Sequence, residues 1–295
     1  LDVTGEKEIP GATIVVKDKD GKEVDKWVSE DKPHAIKNLK VKETYTLHEE
    51  VAAEGYVVAS DVQFTVDDDF KNQKVEMKDK QVFVSKKDIT TGNEIEGAHL
   101  IVKDEKGNTV DEWDSVKDEE HPISGLEVGK KYTLIEETAP DGYVTAEEIE
   151  FTVEDDFTIQ HVEMLDDYTK VEISKQDITT EKELPGAKLV IKNEDGEVVE
   201  EWTSTNEPHY IEYLPVGKYT LHEDAAPNGY KVASDVEFEV EDTGEVQKVV
   251  MKDERVPEKK LPQTGENMMI FVGAAVLLLL AVIALVLLKR RKRTK

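Results

Sequence analysis

Three segments of the chain alternate between apolar and polar residues: Val62-Gln63-Phe64-Thr65-Val66, Ile149 to Val153 and Val236 to Val240. Strand residues two apart share a face, so each segment predicts a strand with one buried and one wet side. The same reading of the middle of the chain gives strands near 82–87, 98–104, 109–114, 120–124, 131–136, 147–153 and 159–166. Asp20-Gly21, Lys106-Gly107 and Asp195-Gly196 mark the tight turns that join an early pair of strands. Seven short strands with turns at this spacing predict an all-β antiparallel sandwich.

The pattern occurs three times. Gly11-Ala12, Gly97-Ala98 and Gly186-Ala187 open equivalent blocks, and Trp27, Trp113 and Trp202 follow. Tyr45-Thr46-Leu47-His48-Glu49 returns at Tyr132 and Tyr219, 87 residues apart each time, and the blocks close on Met77-Lys78-Asp79, Met164-Leu165-Asp166 and Met251-Lys252-Asp253. That period suits one small domain per repeat. The expectation is three tandem seven-stranded β-sandwich domains, at 1–79 (truncated at its N-terminal side), 80–167 and 168–254. No Gly/Ser tract separates them, which predicts a stiff end-to-end stack.

Beyond a linker at 255–260 come Leu261-Pro262-Gln263-Thr264-Gly265 and then an uncharged apolar stretch, 268–288. A helix of that length, rising about 1.5 Å per residue, matches a hydrocarbon core of roughly 30 Å and predicts a transmembrane helix. The basic tail, 289–295, marks the cytoplasmic end, so everything before Leu261 is expected outside the cell. There is no cysteine, which excludes a disulfide framework and thiol metal sites. The net charge of −28 argues against nucleic acid as a partner. Export without a visible signal peptide reads as the C-terminal portion of a longer protein.

Strand parity carries the candidate chemistry. Lys86 shares a face with Val82 and Val84, and Lys175 with Val171 and Ile173. Asp166 falls in line with Val162 and Met164, Asp253 with Val249 and Met251. Glu136 lines up with Tyr132 and Leu134, Glu223 with Tyr219 and Leu221. Repeats 2 and 3 thus each aim one Lys, one Asp and one Glu along an apolar face, where an unpaired charge is costly. One resolution is a buried or rim salt bridge. The other is covalent: burial favours a neutral amine and a neutral carboxyl, which can condense to an amide if held at attack distance with a carboxylate to shuttle the proton.

Two resemblances bear on these residues. The LPxTG motif, apolar span and basic tail resemble the cell-wall sorting signal of Gram-positive surface proteins. That resemblance implies recognition of Leu261, Pro262, Thr264 and Gly265 by a sortase, cleavage between Thr264 and Gly265, and transfer of Thr264 to peptidoglycan, with the membrane as host before sorting. The repeats resemble collagen-adhesin B-type (prealbumin-like, SpaA-type) domains, through Ser85-Lys86-Lys87-Asp88, Ser174-Lys175-Gln176-Asp177, the boxes Tyr132 to Tyr143 and Tyr219 to Tyr230, and the strand His161 to Tyr168. This second resemblance implies isopeptide crosslinks from Lys86 to Asp166 and from Lys175 to Asp253, with Glu136 and Glu223 assisting. In repeat 1, Leu1 aligns with Lys87, so Glu49 and Asp79 remain without their lysine and this domain is expected to be the least stable.

Other candidates are weaker. Asp18-Lys19-Asp20-Gly21 reads as a hairpin turn, not a calcium loop, and the acidic runs at Asp67 and Asp155 read as solvated loops. The Trp series reads as core or sheet cover, and His48 and His222 face outward. No nucleophile–base constellation for turnover is visible, so neither an enzyme nor a cofactor nor a metal is expected. The function expected is the cell-wall-anchored surface stalk of an adhesin, meeting a host or extracellular ligand through a region before Leu1. A pilin subunit, or the stalk of a wall-anchored enzyme, is the alternative.

Deleting Leu261 to Gly265, or removing sortase, is expected to move the protein from the wall fraction into membrane or medium. Fractionated cells that keep it in the wall would contradict the anchoring.

Overall fold

A computed structural model describes residues 1–69 and 71–257; the sorting motif, the predicted transmembrane helix and the basic tail lie outside the described residues. All described elements are strands. Repeat 1 holds β1 (Thr13–Lys17), β2 (Glu23–Val28), β3 (Thr44–Val51) and β4 (Val62–Thr65) in one sheet ordered β2-β1-β3-β4. Repeat 2 holds β5 (Val82–Asp88), β6 (His99–Asp104), β7 (Thr109–Asp114), β8 (His121–Pro122), β9 (Lys131–Thr138), β10 (Ile149–Thr152) and β11 (Gln160–Asp166). Repeat 3 repeats this plan as β12 (Lys170–Asp177), β13 (Lys188–Lys192), β14 (Val198–Thr203), β15 (His209–Glu212), β16 (Gly217–Ala225), β17 (Val236–Val240) and β18 (Val246–Asp253).

Each complete repeat packs a four-stranded sheet (β10-β9-β6-β7 or β14-β13-β16-β17) on a three-stranded one (β11-β5-β8 or β15-β12-β18). The inner faces supply the core: Val82, Val84, Leu100, Leu134 and Met164 in repeat 2, and Val171, Ile173, Leu189, Leu221 and Met251 in repeat 3. The alternation of the sequence fits this plan, since a sandwich buries only every second side chain.

One pairing departs from the antiparallel expectation. The first and last strands of each complete repeat run parallel, β5 beside β11 with Met164 opposite Lys86 and Asp166 opposite Asp88, and β12 beside β18 with Met251 opposite Lys175. Parallel neighbours need a long crossover, and here the other five strands of the repeat supply it. This pairing places an inward residue of the first strand diagonally beside an inward residue of the last.

Repeat 1 has a reduced version of that second sheet. The backbone N–H of Asp79 donates to the Leu1 carbonyl at 2.8 Å, and the Leu1 amine donates to the Met77 carbonyl at 2.9 Å. Leu1 therefore sits opposite Lys78 as Lys87 sits opposite Leu165, which is the register the sequence alignment gave. With a single residue paired, 71–80 form no strand.

The joints are short and occupied. Val57, fully buried, plugs into the core of repeat 2, and its neighbour's N–H donates to the Leu126 carbonyl at 2.8 Å. Lys80 reaches the Glu154 carbonyl and Asp156, each at 2.8 Å. That ion pair holds Asp156 well below the usual carboxylate range, so part of the acidic run fixes the first residue of repeat 2. The Trp residues cover the core edge as expected, each stacked on a histidine (His34, His121 or His209) with ring centroids 4.1–4.4 Å apart. Asp18 closes its turn by accepting the N–H groups of Asp20 and Lys22, both at 3.0 Å.

Candidate functional site

Inside repeat 2 the structure brings together the three charged residues that parity aimed inward. Lys86, on β5, is 2% exposed, and Asp166, at the end of β11, is fully buried. The Lys86 Nζ donates to Asp166 Oδ1 and lies 2.9 Å from Glu136 Oε1. Repeat 3 reproduces the cluster: Lys175 Nζ donates to Asp253 Oδ1 and sits 3.0 Å from Glu223 Oε1. Lys86 and Lys175 are among the largest fully buried side chains of the described residues, a place that lysine seldom occupies.

The glutamates are aimed by backbone. In each repeat the ladder between the two central strands slips by one residue just after the Glu: Leu100 faces Glu136 while His99 faces Thr138, and Leu189 faces Glu223 while Lys188 faces Ala225. Such a bulge locally twists a strand and re-aims a side chain. The second carboxyl oxygen then accepts a short bond from a backbone N–H ten residues on: Ala146 to Glu136 at 2.6 Å, Ala233 to Glu223 at 2.7 Å. Ala59 does the same for Glu49 at 2.6 Å.

The electrostatics follow from burial. Desolvation pushes the Asp166 carboxyl up to about 7, against the pull of the Lys86 ammonium and with a push from the Glu136 charge. Asp253 is raised for the same reasons, burial first. The side-chain atoms buried without a hydrogen bond among the described residues are Glu49 Oε1, Glu136 Oε1, Asp166 Oδ2, Glu223 Oε1 and Asp253 Oδ2. All belong to these clusters. Glu136 Oε1 and Glu223 Oε1 nonetheless lie 2.9 and 3.0 Å from a lysine Nζ, so the oxygens of repeats 2 and 3 without any partner are Asp166 Oδ2 and Asp253 Oδ2.

Repeat 1 holds Glu49 and Asp79 in the same arrangement, both buried, with Leu1 in the register of Lys87. Burial, and then the Asp79 charge, raise Glu49 to about 7, while burial raises Asp79 to about 6. The sortase residues Leu261, Pro262, Thr264 and Gly265 lie outside the described residues. Among the described residues no cluster of His, Asp and Glu has the geometry of a metal site.

Sequence reasoning passed over two groups. The anchoring N–H groups of Ala59, Ala146 and Ala233 had a signal, the recurrence of Ala ten residues after each Glu. Asp88 and Asp177 had one as well, at a fixed place after the strand lysine. Both are buried. Asp88 accepts the N–H groups of Thr90 and Thr91 at 2.8 and 2.7 Å, and Asp177 accepts those of Thr179 and Thr180 at 2.8 and 3.0 Å.

The prealbumin-like fold domain of the SpaA family matches residues 1–81, 80–168 and 169–255, and the LPXTG cell wall anchor motif matches residues 253–295. No curated protein matches the chain. Among solved structures the chain is similar to the Bacillus anthracis TIE protein, at 26% identity over 84% of this chain and 48% of that one, with a TM-score of 0.38. It thus spans about half the length of that protein. It is also similar to a streptococcal ancillary pilin (19% identity, 78% of each chain, TM-score 0.30). A third likeness is to the shaft pilin SpaA from Lactobacillus rhamnosus GG (14% identity, 62% of this chain and 98% of that one, TM-score 0.29).

The raised carboxyls of repeat 1 predict a pH dependence. A carboxyl whose value is higher folded than unfolded stabilises the fold fully below its unfolded value and loses that contribution as pH rises through the folded one. In a chain that starts at Leu1, repeat 1 is therefore expected to weaken between about pH 4 and pH 7, with Glu49 contributing on the order of 3 kcal/mol. Glu49→Gln should flatten this slope, read by hydrogen exchange of repeat 1 amides. An unchanged slope would contradict the burial of an ionisable Glu49.

Proposed function

The chain belongs to the SpaA family of prealbumin-like fold domains and carries the LPXTG anchor of a peptidoglycan-attached Gram-positive surface protein, and on that premise we propose that it is a self-crosslinked, non-catalytic stalk. The observation that carries this reading is the repeated buried Lys–Asp–Glu cluster, in which one oxygen of each aspartate has no partner.

The condensation balances within the cluster. The neutral Lys86 amine attacks Cγ of the protonated Asp166 carboxyl, forming the N–C bond. Glu136 takes a proton from Nζ and returns it to the departing hydroxyl, which leaves as water as the C–O bond breaks. Glu136 ends as it began, and its Oε1 faces the N–H of the new amide. Lys175, Asp253 and Glu223 do the same in repeat 3. Pre-positioning supplies much of the barrier lowering, so no outside enzyme is required. Anchoring proceeds through a sortase at Thr264, and the peptidoglycan is the acceptor.

The consequence is mechanical. Load entering at Val82 runs along β5, crosses the amide and leaves through Asp166, so most of the repeat lies off the load path. About 80 positions separate Lys86 from Asp166, and by analogy with a disulfide, closing such a loop is worth roughly 4–5 kcal/mol through the unfolded state.

Glu136→Ala or Lys86→Ala is expected to restore one water, so that the intact mass exceeds by that water the crosslinked mass corrected for the substituted side chain. The melting transition of repeat 2 should fall by on the order of 20 °C. Variants whose mass differs from the wild type only by the substituted side chain would contradict the crosslink.

A further inference from the structure

Tyr213 stands just before Leu214 in the turn between β15 and β16, with φ at 59°. The residues before the matching leucines, Asn38 and Gly125, take the same left-handed turn at 63° and 76°. Asn and Gly tolerate that region, whereas a bulky aromatic residue there is strained. Strain of this kind persists only where surrounding contacts outweigh it.

Those contacts are made to Asp88 and Tyr143 of the preceding repeat and to Tyr168 and Thr169 at the start of Tyr213's own repeat. The Tyr213 hydroxyl donates to Oδ2 of the buried Asp88 at 3.1 Å, beside the Tyr143 hydroxyl at 3.2 Å. Its ring stacks on Tyr168 at 4.4 Å and meets Tyr143 edge-on at 5.3 Å. Its N–H donates to the Thr169 carbonyl at 3.1 Å, and the buried Thr169 hydroxyl donates to the Leu214 carbonyl at 2.6 Å. Gly142 makes the approach possible, because a Cβ there would lie 2.8 Å from the Tyr213 Cα. At the equivalent Gly229 no atom of the described residues comes within 4 Å of such a Cβ. At that end of repeat 3, Arg255 takes the place of the incoming tyrosine, its Nε 2.8 Å from Asp177.

We infer that Tyr213 is an inter-repeat clamp that fixes repeat 3 on repeat 2, so that the two move as one body. Asp88 lies two residues beyond Lys86 on β5, so the clamp ties repeat 3 to the strand that carries the candidate crosslink. The inference stands on the joint geometry and does not depend on that crosslink forming.

The test is a distance distribution between spin labels. The chain has no cysteine, so paired cysteines introduced by Lys106→Cys and Asp195→Cys report on repeats 2 and 3, and Asp20→Cys with Lys106→Cys on repeats 1 and 2. The labelled chain is expected to give one narrow peak between repeats 2 and 3. Tyr213→Gly, which relieves the backbone strain, and Tyr213→Asn should abolish that peak and leave the 1–2 distance unchanged. Tyr213→Phe, which keeps the ring stack and loses the Asp88 bond, should broaden it. A narrow, unmoved 2–3 peak in Tyr213→Gly, with or without a gain in stability, would overturn the clamp.

Discussion

The structure depends on how an ammonium and two carboxyl groups are kept inside an apolar sandwich. Desolvating them costs several kcal/mol per ion, comparable with the whole stability of a small domain, and deleting one partner of such a set typically costs about 3–5 kcal/mol. Each element around the cluster answers that constraint. The parallel pairing of first and last strands brings Lys86 to Asp166, the bulge turns Glu136 toward them, and the Ala146 N–H satisfies one glutamate oxygen. The oxygen left without a partner, Asp166 Oδ2, belongs to the carboxyl that amide formation would consume.

Much of this was legible in the sequence, because strand periodicity is local. Val62 to Val66 and its copies announce a half-buried strand, and parity alone assigns Lys86, Asp166 and Glu136 to the inside. Parity gives a face but not a neighbour. The parallel run of β5 beside β11 depends on how the whole repeat closes, and no short stretch encodes it. The bulge after Glu136 depends on slippage against β6, and the role of Asp88 on a tyrosine 125 residues away. The alanine N–H groups were hidden for another reason: their contribution comes from backbone, so only the recurrence of the residue could betray them.

The two kinds of joint show one fold solving the same problem twice. Between repeats 1 and 2, Val57 fills the core of the next domain while Gly55 donates to Ser124 Oγ at 2.9 Å. Between repeats 2 and 3, an aromatic triangle and a buried carboxylate do the equivalent work. Both would leave little slack, as the proposed load-bearing stalk requires.

The central claim is that Lys86 and Lys175 are amides. It is tested most directly by digesting the wild-type protein and sequencing the peptides by tandem mass spectrometry. The account predicts two branched peptides, one joining Lys86 to Asp166 and one joining Lys175 to Asp253, each lighter by one water than the sum of its two arms. Linear peptides with a free Lys86 amine and a free Asp166 carboxyl would contradict it and leave the cluster a buried ion pair.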